Sequence, residues 1–139
     1  MTQALTRSRT SQPALFVPSP DLSRLEVYRA AVDFQKVVGR FLARPRLGAL
    51  RNQLDRASAS VALNIAEGAG RFAPADKARH YLIARGSALE CAAIFDVFEA
   101  RGMGSLVERR HGSEILDRII AMLTRLATNM QVRARNHER

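Results

Sequence analysis

Few residues in this chain are equipped for chemistry: three histidines, one cysteine, an Asn–Glu pair and many arginines. His80, His111 and His137 show no paired spacing. Neither an H-E-x-x-H helix nor the paired E-x-x-H motifs of a di-iron bundle occur. Cys91 falls about three helical turns beyond His80, too far for the imidazole to take its proton. It reads as a small core residue. Gly68-Ala69-Gly70 lacks the strand and third glycine of a dinucleotide loop, and there is no P-loop. With no acid, base and nucleophile gathered together, the sequence predicts no catalytic residues, no cofactor, no metal and no enzyme.

Asn64 and Glu67 stand three apart, on one helical face, just ahead of Gly68 and Gly70. A carboxylate at the negative end of a helix needs a cation, and Arg71 is the nearest. These residues read as a structural or subunit-interface network, since polar side chains in a bundle are mostly network members. Gly86 and Ser87 read the same way. A glycine inside a helix costs ~1 kcal/mol against alanine, which points to close helix contact. Ala59, Ala62 and Ala66 offer the small face for it to meet.

The arginines carry the remaining functional signal. Lys+Arg number 22 against 13 Asp+Glu, a formal charge of +9, and all but Lys36 and Lys77 are arginines. Arginine suits bidentate contact with phosphate, although a GC-rich coding sequence gives the same bias without selection for binding. The excess sits toward the two ends of the chain. Arg40, Arg44, Arg46 and Arg51 cluster around the first inter-helix turn, and Arg109 and Arg110 open the fourth helix. A polyanion partner, RNA or DNA, is the corresponding expectation.

Helices must position all of these residues. At 139 residues and 47% hydrophobic content, the chain suits one domain with a real core. Residues 1–20 carry Arg7 and Arg9, no acid, and Pro13, Pro18 and Pro20, which predicts a disordered tail. From residue 21 to 132 the apolar spacing is helical. Val27, Ala31, Phe34, Val38 and Phe41 form the first stripe, with Asp21 or Ser23 as cap. Leu50, Leu54, Ala57, Val61 and Ile65 form the second, stopped by Gly68 and Gly70. The third helix starts at Pro74, with Tyr81, Leu82, Ala88, Leu89, Ala92, Phe95 and Phe98 as core. Ser105 and Glu108 make a capping box for the fourth, which carries Ile115, Ile119, Leu123, Leu126 and Met130. Gly112 is placed to kink it, and the polar residues 133–139 to fray. Short connections between four long helices predict an all-α, antiparallel up-down-up-down bundle. A lone cysteine and the absence of an apolar run near ~20 residues predict a cytoplasmic protein without a membrane span.

The stretch Gln53, Arg56-Ala57-Ser58-Ala59-Ser60-Val61, Asn64-Ile65-Ala66-Glu67-Gly68 and Gly70-Arg71 resembles the signature of a bacterial family. That family comprises small four-helix proteins first noticed as reading frames in 23S ribosomal RNA intervening sequences. Leu25-Glu26-Val27-Tyr28 and Tyr81-Leu82-Ile83-Ala84 with Gly86-Ser87-Ala88-Leu89-Glu90 resemble its first- and third-helix blocks. Tyr28 replaces the usual tryptophan, and the extension over residues 1–20 has no counterpart in short members. The resemblance implies a ring-like homopentamer around a central channel. One branch of the family serves diversity-generating retroelements, where it binds nucleic acid and a reverse transcriptase. Two functions follow as expectations: a nucleic-acid-binding oligomer, or a pentameric scaffold for a protein partner.

Overall fold

The computed structural model describes residues 22–139; the expected tail over residues 1–20 and Asp21 lie outside them. Among the described residues, a short 3₁₀ turn at Leu22–Arg24 leads into four helices, and there is no strand. The helices are α1 (Glu26–Leu42), α2 (Ala49–Gly70), α3 (Pro74–Ala100) and α4 (Leu106–His137). α1 packs on α2 and α4, and α3 packs on the same two, so the four helices enclose one core.

All five positions of the α1 stripe are buried, and Ala30 and Val37 widen it. Leu25 holds the cap position without a side-chain bond; Ser23 contributes its carbonyl, which accepts from the Arg29 guanidinium at 2.6 Å. The turn after α1 reverses through two left-handed residues, Arg46 (φ 72°) and Gly48 (φ 60°). At this end of the core Phe41 stacks on Phe98 at 5.3 Å and meets Phe95 edge-on at 5.0 Å, with Phe34 at 5.8 Å from Phe95. Offset and edge contacts of this kind add to the burial of the rings themselves.

Four expectations are corrected. Gly68 and Gly70 do not stop α2 by a left-handed turn; both lie within its last turn, and Arg71 leaves in an extended conformation. On α3 the buried positions are Tyr81, Ala84, Ala88, Cys91, Ile94, Phe95 and Phe98, together with Ala78 and His80 near its start. Leu82 and Leu89 lie one residue, about 100°, off the 3–4 alternation from Tyr81 to Phe98 and are exposed. Gly112 lies inside α4 and is buried, where a Cβ would come 2.6 Å from Phe95. Its role is close packing. α4 also continues through the stretch 133–139 to His137. Arginine and alanine are good helix formers, and Arg135 and His137 complement the negative end of the dipole.

The Ser105 hydroxyl accepts from the Glu108 backbone N–H at 3.1 Å, as the capping box requires. The Glu108 carboxylate is used elsewhere.

Candidate functional site

The signature residues of α2 at positions 60, 64 and 67 fall on one face, with Arg71 just beyond the helix end, and that face meets α3 along a polar seam. Ser60 and Ser87 join their hydroxyls at 2.8 Å. Asn64 Nδ2 donates to the Ser60 carbonyl at 2.9 Å and to its hydroxyl at 3.0 Å. On the α3 side, buried His80 brings Nδ1 to 3.4 Å from Asn64 Oδ1 and 3.6 Å from Glu67 Oε2. Arg71 supplies Glu67 with its cation at 2.9 Å. Lys77 donates to the carbonyls of Gly68 at 3.2 Å and Ala69 at 2.9 Å, holding the α2 terminus from the opposite helix. Burial pushes the Lys77 ammonium below the ordinary lysine value.

Gly68 makes this approach possible. A Cβ there would meet Tyr81 at 2.9 Å and His80 at 3.0 Å. Around Gly70 and Gly86, by contrast, nothing lies within 4 Å of a Cβ. The close contact predicted for Gly86 is therefore absent within the described chain, and its neighbour Ser87 makes the contact across the helices. Sequence reasoning singled out Asn64, Glu67, Gly68, Arg71 and Ser87, carried Ser60 only as part of the signature, and missed Lys77 and His80. Only the pairing of α2 with α3 reveals these two, because neither has its partner at a local interval.

The seam holds two helices together and contains no poised nucleophile. Cys91 is buried, and burial with the nearby Glu90 carboxylate pushes its thiol up to about 12. Glu108 and His111 stand at E-x-x-H spacing, but the Glu108 carboxylate is bound to Arg44 at 2.5 Å. Among the described residues no group of three or more His, Cys, Asp or Glu is placed to hold a metal. None of the described helices is long and apolar enough to cross a membrane.

The six arginines singled out from sequence divide into separate groups. The α1–α2 and α3–α4 turns do share one end: a Cβ at Gly104 would stand 2.5 Å from Phe41 and 3.0 Å from Arg44. Three of the arginines there are engaged internally. Arg44 pairs with Glu108 and lies over the Phe41 ring, its guanidinium carbon 5.2 Å from the centroid. Arg109 donates to the carbonyls of Met103 and Gly104 at 2.7 and 3.0 Å, closing the turn before α4. Arg51 donates to the Leu42 carbonyl. Arg46 is exposed on the turn. Arg110 lines an α3/α4 groove in the company of Asp96, Glu99, Glu114 and Asp117.

Arg40 faces the other way. It lines a groove between α1 and α4 with Lys36, His111 and Arg118, and Asp33 is the one carboxylate there. Lys36 takes Asp33 at 3.3 Å, leaving Arg40 and Arg118 without a described partner. Adjacent positions 110 and 111 of α4 thus serve grooves of opposite charge, since one residue turns the helix by about 100°. Arg118 and Lys36 were missed as members of the basic site because they lie far from any turn.

The family described as 23S rRNA-intervening sequence protein matches over residues 23–125. No curated protein matches the chain.

Proposed function

The chain belongs to the 23S rRNA-intervening sequence protein family, and we propose that it is a non-enzymatic, self-associating helical bundle that binds RNA or DNA by backbone charge. The α1/α4 groove carries this reading. Lys36, Arg40 and Arg118 stand there with His111, and the only carboxylate is already shared with Lys36. Unengaged guanidinium groups on a solvent-facing groove suit phosphate, and neutralising phosphates releases counterions. The net charge of +9 adds attraction at longer range. Contacts of this kind position a polyanion without reading its bases, so the expected binding is sequence-tolerant.

Self-association belongs to the same proposal, with the antiparallel bundle repeated as a ring of identical copies. It is supported by Leu63 and Phe72, which are 67% and 98% exposed and lie along and just beyond α2. A second copy of the chain packed against them would take that apolar area out of water. Repetition would place several copies of the basic groove on one particle and raise avidity.

Fluorescence anisotropy with a short RNA and a short DNA, from about 50 to about 200 mM salt, tests the reading. Binding should weaken steeply with salt. The double variant Arg40→Glu, Arg118→Glu should lower the log–log slope by roughly 1.4 to 1.8. Affinity weaker than about 1 mM at low salt, or a flat salt dependence, rejects it. Light scattering reads the oligomer: a monomeric mass would remove self-association from the proposal.

A further inference from the structure

α1 covers only part of α4. Its first turn, at Leu25 and Val27, shares a groove with Met122 and Leu126, whereas α4 continues to His137. Beyond that point the start of α3 and the end of α4 form a groove of their own. Ala78 and Ala134 line it as small residues, Leu82 and Ile83 supply its large apolar side chains, and Arg79 and Arg135 bring charge to it. Leu82 and Ile83 are 44% and 41% exposed, apolar area that the described residues leave uncovered. Neither arginine is engaged by another described residue.

We infer that this groove docks an acidic amphipathic helix of a protein partner. Alanines between two packed helices leave room for the larger side chains of a third helix. Leu82 and Ile83 would gain cover from its apolar face, and Arg79 and Arg135 would pair with carboxylates flanking that face. A polyanion would satisfy the arginines and leave Leu82 and Ile83 in water. A purely apolar segment would cover the leucine and isoleucine and leave two guanidinium groups unpaired. Only a partner with both properties matches the groove. The site lies on α3 and α4, apart from the α1/α4 basic groove, so either reading can fail without the other.

The probe is a synthetic amphipathic peptide with leucines at i, i+3, i+4 and i+7, flanking glutamates and one tryptophan. The chain has no tryptophan, so peptide fluorescence reports binding to the whole 139-residue chain directly. Saturable binding is expected, with a lysine-flanked version of the peptide at least about ten-fold weaker. Ile83→Asp should weaken the acidic peptide by about ten-fold, and the double variant Arg79→Glu, Arg135→Glu should reverse the preference between peptides. Circular dichroism of each variant checks that it is folded, and the charge reversal keeps the test open if Ile83→Asp is not. Equal affinity for both peptides, or no saturation by about 1 mM, overturns the inference. So does displacement of the peptide by a short RNA, which would place a polyanion in the groove. A change in the protein's own oligomeric mass on Ile83→Asp would place a second copy there and overturn it equally.

Discussion

Gly68 of α2 sets the distance to Tyr81 of α3: a methyl group at position 68 would stand 2.9 Å from the ring's Cε1. Gly68→Ala should therefore cost about 1–3 kcal/mol through forced displacement of the ring. Gly86→Ala, with nothing within 4 Å, should instead raise stability by about 0.5–1 kcal/mol. Urea unfolding of the two variants reads this contrast in sign. Equal effects would mean that neither glycine is selected by packing.

Arg44 and Glu108 join the end of α1 to the start of α4, with side chains 34% and 25% exposed. A double-mutant cycle with Arg44→Gln and Glu108→Gln should give a coupling on the order of 1 kcal/mol, since solvent screens part of the attraction. The Ser105 cap is untouched, because it uses the Glu108 backbone N–H. A coupling near zero would make this an ordinary surface contact.

Asn64→Ala should destabilise more than Glu67→Ala. The asparagine bonds Ser60 and faces buried His80, whereas Glu67 is half exposed and paired with Arg71. Losses of about 1–2 kcal/mol and about 0.5 kcal/mol are expected from thermal unfolding. If Glu67→Ala is the worse of the two, or splits an oligomer, the carboxylate acts between subunits.

The Cys91 thiol, pushed up to about 12, should resist alkylation in the native protein at neutral pH and react once urea unfolds it. A raised acid pKa also has a signed effect on stability. The unfolded thiol ionises from about pH 9 while the folded one stays neutral, so stability falls as pH climbs from about 9 toward about 12. Relative to Cys91→Ala, the wild-type protein should lose about 1.4 kcal/mol per pH unit over that interval. A parallel pH dependence of the two proteins would contradict burial of the thiol.

Arg46 holds a left-handed φ of 72° without the freedom of glycine. Arg46→Gly should relieve that strain and raise stability by up to about 1 kcal/mol, after the added freedom of the unfolded chain is subtracted. Calorimetry checks it. A lower melting temperature would show that the arginine side chain stabilises the turn more than its backbone strains it.

The helices themselves were legible because a 3–4 apolar alternation has a single meaning: every α1 stripe position is buried, and Pro74 and Ser105 mark helix starts. Glycine and arginine were legible only in part. At Gly68 the glycine could mean either a left-handed stop or a close contact, and only the nearness of Tyr81 decides between them. Arg44 and Arg109 look like surface cations in one dimension, yet Arg44 pairs with Glu108 on α4 and Arg109 closes the turn before that helix. His80 and Lys77 found their partners on α2, which no spacing within α3 announces.

The ring of contacts from α1 through α4 has a consequence for biosynthesis. α1 is made first, but its neighbours on the two sides are α2 and α4, and Phe34 and Phe41 also touch Phe95 of α3. Until α4 has left the ribosome, one flank of the α1 stripe has no cover. The α3–α4 contacts are local in sequence and cheap in loop-closure entropy, whereas joining α1 to α4 closes nearly the whole described chain. The nascent protein therefore carries an apolar helix awaiting its last neighbour, a species that chaperones recognise and that a premature stop within α4 would leave permanently exposed.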